Sequence, residues 1–172
     1  SLPYLQKQGF RVIGSDFIYF PLLEAQKRAP SVPLLNCNLD QGLPFASESL
    51  DVILASEVIE HLSKDKLFLA EAWRALAPGG GLLLTTPNLW DIPRPLARLT
   101  GQTWSGYRDP THINLLTPRR LAGLLKEAGF SQVHWKTGIK PAYQRSIKKL
   151  GLRLALPYPP VIGNGLMAAA VK

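Results

Sequence analysis

The sequence has few residues that cross-link a chain or hold a metal. Its 172 residues include one cysteine, Cys37, and three histidines. A single cysteine cannot form an internal disulfide, and the histidines are too scattered to give a recognisable metal-ligand spacing. We therefore expect a protein without an internal disulfide and without a metal site.

Long apolar runs are also absent. No stretch approaches the roughly 20 apolar residues that span a bilayer, and the first residues, SLPYLQKQGF, lack the basic start and apolar run of a signal peptide. Hydrophobic residues make up 46% of the chain and charged residues 19%, a balance typical of globular proteins. We expect one cytoplasmic domain over residues 1–172 with no membrane span.

Acidic residues are outnumbered by basic ones, 12 to 20, which gives a formal charge of +8. This excess favours an anionic partner such as a phosphate, a nucleic acid or a lipid surface, or it forms a solvated basic face. Few aromatic residues lie between the basic ones, so the pattern does not favour a nucleic-acid surface. Much of the excess comes late in the chain, at Arg119, Arg120, Lys126, Lys136, Lys140, Arg145, Lys148, Lys149 and Arg153.

Strand-like and helix-like patterns alternate along the chain. The third apolar run is uniform enough to predict a strand buried on both faces of a parallel sheet. Thr117 and Pro118 form a typical helix start, with a capping hydroxyl followed by proline. The alternation predicts an α/β fold with a mostly parallel sheet. Apolar runs predict strands at 10–14, 32–37, 49–56, 81–87, 130–138 and 165–172, and helical spacing predicts helices at 21–29, 64–76 and 118–128.

Residues that follow the strands are candidates for ligand binding, because ligands of open α/β sheets bind beyond the carboxyl ends of the strands. Asp16 follows the first strand, where a carboxylate either accepts hydrogen bonds from ribose hydroxyls or caps the next helix. Phe17 beside it is placed to lie against an adenine ring. Asn38 follows the second strand, where its amide suits the edge of adenine or forms a turn.

Further polar residues follow the third strand and lie in the irregular stretch before residue 117. Glu57 and Glu60 suit the start of a helix, where the helix dipole favours carboxylates. His61 next to them either faces a substrate or packs and caps. Asp109, Thr111 and His112 form the densest polar cluster of a long loop, and such loops are often functional; capping of the helix at 117 is the competing role.

Several motifs occur together and in order: LPF at 43–45, LDVILASEVIEHL at 50–62, LAPGGG at 76–81, THINLLTP at 111–118 and AGF at 128–130. Together they resemble the class I S-adenosylmethionine-dependent methyltransferases, over nearly the whole chain. The resemblance implies a Rossmann-like sheet with helices on both faces and an antiparallel last strand. It also implies methyl transfer from S-adenosylmethionine to a small-molecule, lipid or glycan acceptor.

For an acceptor that must lose a proton, His112 is the first candidate for a catalytic base and His61 the second. The resemblance also assigns cofactor roles to individual residues. For the cofactor, Asp16 matches the ribose-binding acid, and Phe17 the apolar residue beside adenine. The remaining cofactor candidates are Asn38, which stands where the family commonly has aspartate, Leu39 through its backbone, and Ala55 and Ser56 near the methionine part.

One part of the family pattern is missing. The family opens with a strand and a glycine-rich loop, whose glycines allow close backbone approach to the cofactor, and nothing like it precedes Gly9. We therefore expect that the chain begins after this motif. In the family the missing strand lies between the strands predicted near 10–15 and 50–56, so we expect an oligomeric contact or local disorder there.

Two other functions remain open from the sequence. A nicotinamide-dependent oxidoreductase would also use Asp16 for a ribose, but no tyrosine is followed by a lysine four residues later, as in the common short-chain reductases. A methyltransferase-like domain without its glycine-rich loop would instead serve as a non-catalytic binding or scaffold unit.

Overall fold

The fold is given by a computed structural model that describes residues 2–91, 93–101, 103–138 and 163–172. The chain divides into two compact units, Ser1–Pro44 and Phe45–Lys172. The basic residues at 140, 145, 148, 149 and 153 lie outside the described residues.

The first unit contains two short parallel strands. Asp16 is in register with Asn36 across the pair, so the carboxyl ends of both strands lie side by side. Gly9 follows the first helix with a φ of 86°, a left-handed conformation that glycine adopts easily at a helix end. The elements are α1 (Leu2–Lys7), β1 (Gly14–Asp16), α2 (Tyr19–Arg28), β2 (Leu34–Asn36) and a 3-10 turn at Leu39–Gln41.

The second unit is built on a four-stranded sheet. Its strands are β3 (Leu50–Ser56), β4 (Leu76–Pro87), β5 (Ser131–Gly138) and β6 (Gly165–Val171). The order across the sheet is β3-β4-β6-β5. β3 and β4 are parallel, whereas β6 is antiparallel to both of its neighbours. The predicted antiparallel last strand is therefore confirmed.

Among the described residues of the second unit, three helices accompany this sheet: α3 (Asp65–Ala75), α4 (Pro93–Leu99) and α5 (Pro118–Glu127). Short 3-10 turns lie at Ile59–His61 and Ser105–Tyr107. The core combines buried side chains of α3 and α5 with those of the central strands. Its fully buried large members include Phe68, Leu69, Leu82, Leu84, Leu121, Leu125 and Leu166. No helix among the described ranges is long and apolar enough to cross a membrane.

Strand β3 is the clearest departure from the sequence prediction. It pairs only with β4 within the described residues, and Val52 and Leu54 are each 51% exposed. The prediction that this strand is buried on both faces was wrong, because an apolar run does not reveal whether the strand has two neighbours. β1 and β3 belong to different sheets in the described part of the chain.

Candidate functional site

Two histidines and a glutamate meet at the end of β3. Glu60 and His61 lie in the short turn after this strand, and His112 comes from the loop before α5. The imidazole rings of His61 and His112 have centroids 4.9 Å apart and are tilted by 54°. One ligand atom from each of the three residues lies within 4.8 Å of the others. The structure thus brings together the two histidines that the sequence proposed as catalytic.

The backbone holds these two segments together. The amides of Ile113 and Asn114 both donate to the carbonyl oxygen of Glu60, at 3.0 and 2.9 Å. The side-chain amide of Asn114 also donates to a carboxylate oxygen of Asp65 at 2.8 Å. These bonds make the His112 loop a close neighbour of the turn after β3, and that explains how residues far apart in sequence share one site.

The turn itself begins with a constrained residue. Glu57 directly follows β3 and has a φ of 55°, which is uncommon for a residue with a side chain. Its amide donates to the carbonyl oxygen of Thr85 on β4 at 2.9 Å. Such strained positions occur often at functional sites, and here the bend directs the chain from the strand into the turn that carries Glu60 and His61.

Hydrogen bonds define which ring nitrogen carries a proton. Nδ1 of His112 lies 2.7 Å from the carbonyl oxygen of Gly106, and a carbonyl can only accept, so Nδ1 is the donor. Nδ1 of His61 lies 3.2 Å from the carbonyl oxygen of Thr111 and 2.9 Å from its hydroxyl. When neutral, both imidazoles therefore keep the lone pair on Nε2, where it is free to accept a proton or bind a cation.

Glu60 is fully buried. Neither of its carboxylate oxygens makes a well-formed hydrogen bond with the described residues, although the backbone amide of Glu60 and the buried hydroxyl of Thr86 lie close enough to favour the charged form. Burial is the largest cause that raises the pKa of Glu60; the charge of Glu57 adds to it, and the local backbone and Thr86 partly oppose it. A buried carboxylate without well-formed hydrogen bonds is costly and calls for an explanation.

Asp109 is an exposed anion at the edge of this cluster. It accepts hydrogen bonds from the hydroxyl and the amide of Thr111 at 2.6 and 2.9 Å. The Thr111 hydroxyl is the largest cause that holds the pKa of Asp109 below its usual value, and the two imidazoles contribute in the same direction. Its other oxygen lies 3.9 Å from Nε2 of His112. This arrangement keeps a negative charge beside the histidine pair.

The residues proposed to bind the adenosine part of the cofactor lie in the first unit. Asp16 accepts a hydrogen bond from the amide of Ile18 at 2.8 Å, and Asn38 accepts one from the amide of Asp40 at 3.0 Å. Asn38 thus makes the turn that the sequence allowed as its alternative role. Asp16 also makes a local turn but does not cap α2, because Ile18 occupies the N-cap position and α2 has no side-chain cap hydrogen bond. Phe17 is 68% exposed. Leu39 opens the 3-10 turn after β2, so all four candidates lie at the adjacent carboxyl ends of β1 and β2.

Two hydrogen bonds that the sequence did not predict stabilise the loop after β1. The side-chain amide of Asn36 donates to the carbonyl oxygens of Asp16 and Phe17, at 3.0 and 2.7 Å. These bonds connect the backbone of Asp16 and Phe17 to the end of β2.

Ala55 and Ser56 lie in the second unit, at the carboxyl end of β3. Ala55 is buried, at 5% exposure. Ser56 is exposed, and its hydroxyl forms a hydrogen bond of 3.1 Å with that of Thr85 on the neighbouring strand. These two candidates therefore lie on the same strand end that leads into Glu60 and His61.

A family model described as a methyltransferase domain matches residues 1–134, well over half of the chain. The chain belongs to the methyltransferase-domain family. One relative of this methyltransferase domain, from Mycolicibacterium smegmatis, is named a probable S-adenosylmethionine-dependent methyltransferase. It is 36% identical over 124 residues, which are 70% of this chain and 43% of that protein.

A second relative is the mitochondrial ubiquinone biosynthesis O-methyltransferase of Mus musculus. It is 28% identical over 137 residues, covering 74% of this chain and 37% of that protein. The methyltransferase domain described here thus spans less than half the length of these curated relatives.

Solved structures share the fold. A methyltransferase from Archaeoglobus fulgidus, described as S-adenosylmethionine-dependent, gives a TM-score of 0.72 at 17% identity and covers 99% of this chain and 80% of that one. The phosphoethanolamine N-methyltransferase 2 of Haemonchus contortus, solved with S-adenosylmethionine, gives 0.67 at 17% identity and covers 95% of this chain and 44% of that one. The predicted Rossmann-like α/β class of the methyltransferase domain is confirmed.

Proposed function

We propose that the protein transfers the methyl group of S-adenosylmethionine to a hydroxyl group of a small-molecule, lipid or glycan acceptor. The observation that carries this proposal is the meeting of His61 and His112 at the strand end of a methyltransferase domain, with ring centroids 4.9 Å apart. A hydroxyl acceptor must lose its proton, and both imidazoles keep Nε2 available to take it.

The chemical step is a displacement at the methyl carbon. The acceptor oxygen forms a bond to this carbon while the carbon–sulfur bond breaks, and the bonding electrons remain on sulfur as S-adenosylhomocysteine forms. The hydroxyl proton passes to Nε2 of His112 as first choice, with His61 as second. S-adenosylmethionine supplies the electrophile, so the protein mainly binds and orients the two reactants.

The first unit supplies the adenosine-side contacts in this proposal. Asp16 is half-buried at the end of β1, and its second carboxylate oxygen suits a ribose hydroxyl. Phe17 offers an exposed aromatic face to the adenine ring. Asn38 and Leu39 follow the neighbouring strand and complete the edge of this site. Ala55 and Ser56 are proposed to approach the methionine part.

The surroundings of His112 favour an acceptor with an apolar body. Tyr107 and Ile113, on either side of it in sequence, are 51% and 61% exposed. Exposed apolar side chains beside a pair of histidines offer contact area for an aromatic ring or an alkyl chain. The relative that is named a ubiquinone biosynthesis O-methyltransferase supports a test that begins with phenols carrying an apolar chain.

Cofactor binding is tested by titration calorimetry with S-adenosylmethionine. Asp16→Asn retains the oxygen that accepts from Ile18 but removes the charge and one acceptor, so affinity should fall although the turn survives. Asp16→Ala should lose at least as much. Glu24→Gln is the matched control, because Glu24 is another carboxylate of the first unit that pairs with Lys27. If Asp16→Asn binds as tightly as the parent protein, the ribose role is wrong.

Methyl transfer is tested by following S-adenosylhomocysteine formation with phenolic, lipid and glycan acceptors. His112→Ala should lower turnover by about 10²–10⁴-fold if it is the general base, and His61→Ala should have the larger effect if the roles are reversed. His134→Ala is the control, since this third histidine lies exposed on β5. Tight cofactor binding without transfer to any acceptor class would favour the binding or scaffold function.

A further inference from the structure

The cluster of Glu60, His61 and His112 has a composition that general-base catalysis by one histidine does not require. It combines two imidazoles with a fully buried carboxylate whose oxygens make no well-formed hydrogen bond with the described residues. In proteins, buried charges are normally paired with another charge or coordinate a metal. In the part of the chain that the structure describes, no Lys or Arg forms a salt bridge with Glu60.

We propose that Glu60, His61 and His112 bind one divalent transition-metal ion, with Zn²⁺ as the reference ion. Two imidazole nitrogens and one carboxylate oxygen form a ligand set that suits zinc and leaves positions open for other ligands. In a tetrahedral zinc site with ligand distances of about 2.0–2.2 Å, the ligand atoms lie about 3.3–3.6 Å apart. The ligand atoms of this cluster lie within 4.8 Å of one another, so side-chain rotations that bring them closer would complete the site.

The hydrogen bonds around the histidines match this role. A metal-binding histidine usually donates its other ring N–H to a carbonyl or carboxylate, which fixes the ring and its tautomer. Nδ1 of His112 donates to the carbonyl oxygen of Gly106, and Nδ1 of His61 to Thr111. Thr111 in turn donates its hydroxyl proton to Asp109. These hydrogen bonds at Nδ1 fix the orientation of both rings. The lone pair on Nε2 of each histidine therefore remains available to a metal ion.

The catalytic consequence rests on the proposed function. An imidazole that binds a metal through Nε2 cannot take a proton at the same atom, so the ion would replace the histidine base. A hydroxyl group of the acceptor at an open position would release its proton to solvent water more easily, as water bound to zinc does. The site and this consequence are separable, because metal binding needs neither cofactor nor acceptor.

The site is tested by dialysing the folded protein against a chelator and then titrating it with Zn²⁺ in competition with a chromogenic chelator. We expect one equivalent to bind. His61→Ala, His112→Ala and Glu60→Gln should each weaken binding by more than about 10-fold, whereas His134→Ala should not change it. Co²⁺ should give visible absorption bands that depend on the same three residues. Circular dichroism checks that each variant is folded.

A buried-site variant that unfolds would leave the role of Glu60 undecided, so Thr111→Val supplies an independent measurement at the surface. It should weaken Zn²⁺ binding by about 10–100-fold through loss of the outer contact to His61, and Thr111→Ser should retain binding. The proposal is overturned if the folded parent protein binds no stoichiometric Zn²⁺, or if His134→Ala weakens binding as much as His61→Ala. Zinc binding without S-adenosylmethionine binding would overturn only the proposed function.

Discussion

The Nδ1 atom of His61 lies 2.9 Å from the hydroxyl oxygen of Thr111, 50 residues further along the chain. The same hydroxyl donates to Asp109 at 2.6 Å, so Thr111 connects an imidazole and a carboxylate. A hydroxyl can donate once and accept from another group, and both capacities are used here. This one side chain thus orients His61 and lowers the pKa of Asp109.

Thr111→Val should raise the pKa of Asp109, because it removes the hydroxyl that contributes most to its lowered value. Thr111→Ser should leave that pKa low. A lowered carboxyl pKa stabilises the folded protein above the unfolded-state value, and this contribution is lost as pH falls through the folded-state pKa. Titration of the Asp109 carboxyl carbon by NMR measures the shift. Equal values in the parent protein and Thr111→Val would contradict the prediction.

The carboxyl of Asp91 should give the stability of the folded protein a pH dependence opposite to that from Asp109. It is 1% exposed, accepts a hydrogen bond from the indole of Trp104 at 2.8 Å, and its other oxygen has no partner among the described residues. Burial raises its pKa, and the Trp104 bond partly opposes this. A raised carboxyl pKa means that the folded state binds the proton more tightly. This contribution to stability is therefore full below the unfolded-state pKa and declines as pH rises through the folded-state value.

Asp91→Asn should remove this pH dependence, since an amide has no charge to lose or gain while its oxygen can still accept from Trp104. In the parent protein this contribution to the free energy of unfolding amounts in total to about 1.4 kcal/mol for each unit by which the folded- and unfolded-state pKa values differ. Urea unfolding at several pH values, followed by circular dichroism, measures the free energy of unfolding. Asp51→Asn is the control, because Asp51 is an exposed carboxyl on β3. An unchanged slope in Asp91→Asn would show that another group is responsible.

The helix start at Thr117 shows what local sequence can predict. The threonine hydroxyl accepts from the amide of Arg120 at 3.2 Å, and Pro118 occupies the first helical position. Both features depend on neighbouring residues only, so the sequence contained the whole signal.

The start of β4 was missed for the opposite reason. The sequence predicted this strand only from residue 81, but a Cβ on Gly80 would lie 3.0 Å from the carbonyl oxygen of Asp51 on β3, a contact set by tertiary structure.

The site was predictable only in part for a similar physical reason. His61 and His112 could be proposed singly from their motifs, but their proximity depends on the amides of residues 113 and 114 donating to the carbonyl of Glu60. The sequence assigned Glu60 to a helix start and predicted no metal site. Its complete burial is a property of the packed loop, and the adjacent His61 was the only local signal that could have pointed to a shared role.

Thr117→Ala should destabilise the second unit by about 1 kcal/mol, because it leaves the amide of Arg120 without its side-chain acceptor. Thr117→Ser should retain most of the stability, since it keeps the hydroxyl. Thermal and urea unfolding of the three proteins give the comparison. A loss in Thr117→Ser as large as that in Thr117→Ala would assign the effect to the methyl group rather than to the hydrogen bond.

Strand β3 should mediate self-association of the chain. Its backbone is paired on one side only in the described structure, and Val52 and Leu54 expose apolar surface beside that free edge. Such edges favour pairing with another chain, and lysine placed on them opposes it. We expect the protein to show a concentration-dependent mass above that of one chain in light scattering, and Val52→Lys/Leu54→Lys to shift it toward the monomer. Leu99→Lys, at an 84% exposed position on α4, controls for added charge, and equal dissociation by this control would contradict a role of β3.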